Sequence, residues 1–216
     1  MFPWAIFQTI RSTIKLHTLH DLRCNISSLI HITDGKGSDY QAHDVPMLEV
    51  GSFYIMDRGY IDFARLNRFN LASAFLVIRA RANTRYRRLY SHPVDKSSGL
   101  ICDQTVQLDG QQSASTYPDK LRRVRYRDAE TGKCLAFLTN NFDLPALTIA
   151  QLYRCRWQVE LFFKWIKQHL SIKAFYGTSE NTVRSQIYIA VSVYVLIAIV
   201  KNACAPRPAF TQFSRF

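Results

Sequence analysis

The sequence predicts an α/β fold, because short apolar runs typical of strands alternate with segments of helical period. Residues 52–56 and 74–78 are two such apolar runs. Between them, Phe63, Leu66 and Phe69 recur at every third position, which indicates a helix. This strand–helix–strand order is the main reason for the α/β prediction.

The N-terminal part of the chain predicts a pair of strands. Residues 12–33 are rich in β-forming residues, with a break at residues 21–25 that is typical of a hairpin turn. Residues 34–44 are polar and contain glycine, so we expect a turn there. The strand over residues 52–56 then ends directly before Asp57. A carboxylate is therefore predicted at the C-terminal end of a core strand.

The middle of the chain changes in character and is predicted to be a mostly β insertion, over about residues 79–140. It begins with the basic stretch RARANTRYRRLY and continues without a helical period. Two apolar segments flank a turn at residues 128–132, which predicts a hairpin near the end of the insertion. The basic stretch over residues 79–88, with an interleaved tyrosine, is a candidate DNA contact. A merely solvated face explains it equally well.

The C-terminal part predicts two helices, one from about residue 145 to 173 and one from about 181 to 201. We expect the tail over residues 203–216 to be frayed, since it contains two prolines and no period. The longest apolar run, over residues 187–200, is short for a membrane span. It therefore predicts a buried helix, with no membrane partner.

The charge of the chain favours a polyanionic partner. Its 216 residues include 28 basic and 16 acidic residues, which gives a net charge of +12. Nucleic acid is the first candidate and an anionic membrane surface is the second. Five widely spaced cysteines without a C-x-x-C motif argue against a disulfide framework or a zinc site. The N-terminus does not resemble a signal peptide, so we expect a cytoplasmic protein.

The helix predicted over residues 145–173 carries four polar residues that are candidates for a functional site. On a continuous helix they fall within a sector of about 60°, beside an apolar stripe that must face the core. The polar stripe would then border a cleft. A solvated helix face, with Glu160 paired to Lys164, is the simpler alternative. The four residues are Tyr153, Arg156, Glu160 and Lys167, and the apolar stripe contains Leu152, Val159, Phe163, Ile166 and Leu170.

Two carboxylates on separate elements suggest phosphoryl-transfer chemistry. Asp57 follows a strand and Glu160 lies on a later helix. Such hard oxygen ligands from separate parts of a chain are what a two-metal Mg²⁺ site requires. Basic residues nearby would hold the phosphate backbone of DNA.

The spacing Tyr153-x2-Arg156-x3-Glu160-x6-Lys167 resembles the Y-R-E-K signature of the DDE insertion-sequence transposases of the subgroup numbered four. The stretches FPWA, GSFYIMDRGYIDFARL, LTNNF and RWQVELFFKWIKQHL also resemble that family. The likeness extends from residue 2 to about residue 202. It implies a ribonuclease-H-like core over residues 1–202, with a β insertion before the last catalytic helix.

The resemblance also implies roles for individual residues. Asp57 would be the second acid of the catalytic triad and Glu160 the third, and both would bind Mg²⁺. Tyr153, Arg156 and Lys167 would contact the DNA backbone near the transposon end. The family's first acid lies on a strand upstream of the FPWA stretch, and this chain begins directly before FPWA. The tail after residue 202 also departs from the family's usual continuation. We therefore expect both ends of a longer transposase to be lost and this chain to be inactive alone.

The sequence therefore predicts a transposase that cuts and rejoins DNA, acting in the cytoplasm and on the nucleoid when bound to DNA. The alternative is a non-catalytic DNA-binding remnant that pairs with a full-length enzyme. A peripheral membrane protein using residues 187–200 is a third and weaker alternative. The sequence leaves homo-oligomerisation open. Asp21, Asp34, Asp39 and Asp44 are weak substitutes for the first acid, because they lie in predicted turns.

Overall fold

The chain forms two compact units, which are described separately below. Unit 1 comprises Met1–Ser38 and Trp157–Phe216, and unit 2 comprises Asp39–Arg156. The computed structural model describes residues 6–8, 11–12, 14–22, 24–34, 48–169, 177 and 179–204. The FPWA stretch, Asp39, Asp44 and the tail from residue 205 lie outside the described residues.

Ten strands and five α-helices are present in the described part of the chain. The strands are β1 (Ile6–Gln8), β2 (Arg11–Ser12), β3 (Ile14–Asp21), β4 (Ile26–Asp34), β5 (Phe53–Met56), β6 (Phe75–Arg79), β7 (Tyr86–His92), β8 (Leu100–Leu108), β9 (Leu121–Arg127) and β10 (Cys134–Thr139). The helices are α1 (Phe63–Leu71), α2 (Gln111–Thr116), α3 (Ala146–Arg154), α4 (Trp157–His169) and α5 (Glu180–Cys204).

Unit 1 combines an antiparallel hairpin with two helices. Strands β3 and β4 pair along their whole length, which confirms the predicted pair of strands. Asn25 adopts a positive φ of 56° at the turn, a conformation that Asn tolerates better than most residues. The hairpin and helices α4 and α5 share one apolar core, whose buried members are Ile32, Phe162, Ile166, Val183, Ile187, Val191, Tyr194 and Ala198.

Helix α5 is buried on one side only, so the expectation of a buried helix is wrong for its other side. Ile189, Leu196 and Val200 are each at least 60% exposed. By length and composition alone, this 25-residue helix could cross a membrane, and 28% of its most apolar stretch is buried. An exposed apolar surface of this kind usually marks a contact with a partner or a membrane.

Unit 2 is built around a mixed sheet of six strands in the order β5-β6-β10-β9-β8-β7. Strands β5 and β6 are parallel, and α1 lies between them in the chain. The other neighbours are antiparallel. The structure confirms the predicted α/β class, and such a sheet is consistent with the expected ribonuclease-H-like core. Residues 79–140, the predicted insertion, contain β7 to β10 and the short helix α2.

The sheet of unit 2 has apolar residues on both faces, as strands covered on two sides require. One face packs with α1 through Leu66 and Phe69. The second packs with α3 through Ile149 and Tyr153. Helix α3 is thereby fixed against the sheet, and the orientation of Tyr153 depends on this packing.

The prediction of one continuous helix over residues 145–173 is wrong. Helix α3 ends at Arg154 and α4 begins at Trp157. The amides of Cys155 and Arg156 donate to carbonyls three residues earlier, which tightens the end of α3. No proline or glycine marks this break in the sequence. The sector calculated for a continuous helix therefore does not relate Tyr153 to Glu160.

Candidate active site

Asp57 occupies the carboxyl end of strand β5, where the sequence predicted it. Its Oδ1 accepts a hydrogen bond of 2.7 Å from the backbone N–H of Arg58. This bond caps a single 3₁₀ turn over Arg58–Tyr60, so the carboxylate is held by local backbone geometry. Asp57 is half-buried. Because β5 and β6 are parallel, the carboxyl ends of both strands lie at the same edge of the sheet.

Tyr153 reaches this edge from helix α3. Its side chain is buried, and its ring packs against Phe137 of β10 with centroids 4.6 Å apart. Its hydroxyl donates a hydrogen bond of 3.2 Å to Asp57 Oδ1. The packing of α3 on the sheet therefore brings together two predicted site residues that are far apart in the sequence.

The environment of Tyr153 keeps its phenol protonated. Burial is the largest cause of a rise in its pKa to about 12, and the negative charge of Asp57 adds to the rise. The positive charges of Arg156 and Arg79 oppose that rise. At neutral pH Tyr153 is consequently a hydrogen-bond donor, and it donates to the carboxylate of Asp57.

Arg156 lies in the turn that follows α3. Its guanidinium carbon is 5.6 Å from the centre of the Tyr153 ring, within the range of a cation–π contact. Unit 2 thus brings together three of the five predicted site residues: Asp57, Tyr153 and Arg156. These residues place a carboxylate, a hydrogen-bond donor and a positive charge close together in unit 2.

Glu160 and Lys167 belong to unit 1 and lie seven residues apart on α4, on one helix face. Both line an open hollow of about 560 Å³. Glu160 is half-buried, whereas Lys167 is exposed. The remaining lining residues are Leu16, Phe163, Lys164 and Gln168. The carboxylate therefore lies in a hollow that combines an apolar surface with lysines.

The carboxylate oxygens of Asp57 are suited to bind a hard cation as one of its ligands. Both of its hydrogen bonds go to Oδ1, and the described residues direct none to Oδ2. Carboxylate oxygens are the ligands that Mg²⁺ prefers. The described ranges contain no cluster of three or more His, Cys, Asp or Glu side chains that could hold a metal ion. Asp57 can thus contribute to a metal site, but a complete site needs further ligands.

A buried ion pair between β8 and β9 was not predicted from the sequence. Arg122 of β9 forms two hydrogen bonds, of 2.9 and 2.7 Å, to the carboxylate of Asp103 on β8. It also donates to the carbonyl of Leu144, just before α3. Asp103 lies opposite Val124, so Arg122 is its diagonal neighbour on the same face. Only the strand register, which the sequence does not specify, could have revealed this pair.

Comparison with known families gives a match over most of the chain. The family model for the transposase DDE domain matches residues 9–196. That range contains all five predicted site residues. The match includes parts of both units, from β2 in unit 1 to most of α5.

Individual relatives agree with the family match. A protein of Sinorhizobium fredii named as the transposase y4zB is 35% identical over 190 residues, which are 86% of this chain and 53% of the relative. A protein of Geobacillus stearothermophilus named as a transposase for the insertion sequence element IS5377 is 33% identical over 201 residues, 90% of this chain and 51% of the relative. The chain thus spans about half the length of these relatives.

Proposed function

The chain belongs to the transposase DDE domain family, and we propose that it is part of an enzyme that moves an insertion sequence by cutting and rejoining DNA. The names of the relatives support this proposal, because both are described as transposases and one is assigned to an insertion sequence element. The substrate would be double-stranded DNA at the ends of such an element. The excess of basic residues, with a net charge of +12, is consistent with a DNA substrate.

The proposed domain organisation follows the family resemblance. Residues 1–202 would form part of the DDE catalytic domain, with a β insertion at about residues 79–140. The protein would act in the cytoplasm, on the nucleoid when bound to DNA, without a membrane partner. Homo-oligomerisation is part of this proposal, because an insertion sequence has two ends to be bound.

The proposed roles follow the Y-R-E-K spacing. Asp57 and Glu160 would be two of the three catalytic acids, and both would bind Mg²⁺. Tyr153, Arg156 and Lys167 would hold the DNA backbone near the transposon end. Placement in the subgroup numbered four depends on this spacing of four residues, read from the sequence alone.

The single observation that best supports a catalytic role is the hydrogen bond from Tyr153 to Asp57. It orients the carboxylate and occupies Oδ1, while Oδ2 accepts no hydrogen bond from the described residues. A carboxylate fixed in this way is prepared to act as a ligand without further reorganisation. Arg156 contacts the Tyr153 ring, and its guanidinium would supply a positive charge for a phosphate of the DNA backbone.

Divalent cations supply charge neutralisation for the attacking and leaving oxygens in this class of reaction. Asp57 and Glu160 are the residues of this chain that would hold them. The chain's own contribution is to orient Asp57 through Tyr153 and to provide basic side chains for the phosphate backbone. Water and then a DNA 3′-hydroxyl would act as nucleophiles in line with the bond that breaks.

We further propose that these 216 residues alone do not catalyse transposition. By resemblance they contain two of the three acids, and Mg²⁺ binds weakly to an incomplete set of ligands. The alternative function is that of a DNA-binding protein without catalytic activity, which would account equally well for the excess of basic residues.

Strand nicking and strand transfer on DNA that carries the element's ends would test both proposals. The 216-residue chain should be inactive, and a version with the family's first acidic strand ahead of Met1 should cleave. In that version, Asp57→Asn and Glu160→Gln should each abolish cleavage, because a neutral amide cannot replace a carboxylate that binds the cation.

Two matched variants serve as controls for those substitutions. Asp95 caps a 3₁₀ turn as Asp57 does, and Glu180 is an acid on a helix of unit 1, so Asp95→Asn and Glu180→Gln should leave activity unchanged. Cleavage by the longer version that survives Asp57→Asn would contradict the catalytic assignment. Cleavage by the 216-residue chain that disappears with Glu160→Gln would contradict the proposal that its set of acids is incomplete.

A further inference from the structure

A second hollow lies at the carboxyl edge of the parallel strands, next to Asp57. It has a volume of about 380 Å³ and is lined by residues from the two segments that follow β5 and β6. Those residues are Arg58, Gly59, Arg81, Ala82 and Asn83. The lining combines two arginines with an amide and contains no acidic side chain. Its chemistry therefore suits an anion.

The parallel pairing of β5 and β6 explains why the two arginines meet. Met56 at the end of β5 is opposite Ile78 near the end of β6, so the segments that follow leave the sheet side by side. The Nε of Arg81 donates a hydrogen bond of 3.2 Å to the backbone carbonyl of Arg58. This bond joins the two segments and restricts the guanidinium of Arg81. The hollow is thus a product of sheet topology together with one specific contact.

The hollow is directly connected to the proposed catalytic carboxylate. The backbone N–H of Arg58 donates to Asp57 Oδ1, so this residue both lines the hollow and helps to hold Asp57. Arg79, at the end of β6, is near enough for its charge to act on the phenol of Tyr153. Arginines from two segments of unit 2 therefore lie close to Asp57 or to its partner Tyr153.

We propose that this hollow binds a phosphate group of the DNA backbone and positions the DNA strand beside Asp57. This inference rests on the proposed function, because a transposase must hold the phosphates next to the bond that it cuts. Guanidinium groups bind phosphate oxygens through two parallel hydrogen bonds, which gives them geometric selectivity as well as charge. Arg58 and Arg81 are the positioning residues, and Asn83 offers an additional polar group.

Fluorescence anisotropy with a short labelled DNA duplex, recorded over a series of NaCl concentrations, tests the proposal. The protein variants are Arg58→Ala, Arg81→Ala and the control Arg127→Ala. Arg127 is an exposed arginine at the end of β9, outside both the hollow and the basic stretch over residues 79–88. Each hollow variant should bind DNA about tenfold more weakly, as expected for the loss of a charge-assisted hydrogen bond. The slope of log K against log[NaCl] should also fall by about one.

The Arg58→Ala variant is the decisive one. The alanine retains the backbone carbonyl that accepts from Arg81, so the contact between the two segments stays in place. Circular dichroism should show an unchanged fold for this variant. If Arg81→Ala proves unfolded, Arg58→Ala still decides the outcome. A second measurement replaces chloride with inorganic phosphate at equal ionic strength, and phosphate should compete more strongly against wild type than against Arg58→Ala.

The outcomes separate this inference from the proposed function. If wild type binds DNA and a folded Arg58→Ala variant keeps the wild-type affinity and salt slope, the phosphate subsite is wrong and the transposase assignment stands. If the control Arg127→Ala lowers the salt slope as much as Arg58→Ala does, the subsite is also wrong, since any exposed arginine would then have the same effect. In a third outcome, phosphate competes more strongly against wild type, but Arg58→Ala binds DNA as tightly as wild type does. The hollow would then be a site for free phosphate and not for DNA. A wild-type chain that binds no DNA would overturn both proposals.

Discussion

The buried ion pair between Asp103 and Arg122 should contribute strongly to the stability of unit 2. Their side chains are only 7% and 8% exposed, and their closest nitrogen–oxygen distance is 2.7 Å. Asp103→Asn removes the carboxylate and leaves the guanidinium of Arg122 buried without its counter-ion. Removing one partner of such a pair costs about 3–5 kcal/mol. Because Arg122 also holds the carbonyl of Leu144, the start of α3 should loosen with it.

A matched control isolates the effect of burial. Glu130 and Arg154 form a pair with the same distance of 2.7 Å, but their side chains are 73% and 54% exposed. Glu130→Gln is the same change from acid to amide, and water can solvate the arginine that remains. Exposed pairs of this kind contribute little to stability. Glu130→Gln should therefore leave stability almost unchanged.

Amide hydrogen exchange is the appropriate assay, because it reports on β8 and β9 separately from unit 1. Exchange of these strands should become about a hundredfold to a few thousandfold faster in Asp103→Asn, since each 1.4 kcal/mol corresponds to a factor of ten. The double variant Asp103→Leu with Arg122→Met should recover most of this loss, because no buried charge remains. It should not recover all of it, since the Leu144 carbonyl loses its donor.

One result would refute this reasoning. If Asp103→Asn accelerated exchange no more than Glu130→Gln does, burial would not determine the contribution of an ion pair in unit 2. The proposed support of α3 through Leu144 would then fail as well.

Two further predictions concern Tyr153 and helix α5. The pKa of Tyr153 is raised from 10 to about 12, so the folded protein holds the phenol proton more tightly than the unfolded chain does. The resulting stabilisation is complete below pH 10 and is lost as the pH rises through 12. Between pH 10 and 12, wild type should lose more stability in urea unfolding than Tyr153→Phe does, and equal losses would contradict the raised pKa. For α5, the test is a liposome flotation assay with anionic vesicles and DNA. The chain should remain bound to DNA and should not float with the vesicles. Flotation that persists with excess DNA, and that Leu196→Gln abolishes while the exposed-residue control Tyr188→Gln does not, would instead support membrane binding.

The candidate site shows where sequence reasoning works for this chain and where it stops. The place of Asp57 at the end of a strand followed from the apolar run before it, and the hairpin of β9 and β10 followed from its turn residues. Both depend on neighbouring residues, whose conformational preferences act locally. The roles of Glu160 and Lys167 likewise rest on spacing along one helix, and they remain predictions.

Contacts between distant segments required the tertiary structure. The hydrogen bond from Tyr153 to Asp57 depends on how α3 packs on the sheet, and the pair of Arg122 with Asp103 depends on the register of two strands. No proline or glycine in the sequence marks the end of α3 at Arg154. The hollow between Arg58 and Arg81 exists because β5 and β6 are parallel. Local preferences determine which elements form, but the burial of their apolar faces against one another decides which polar side chains meet.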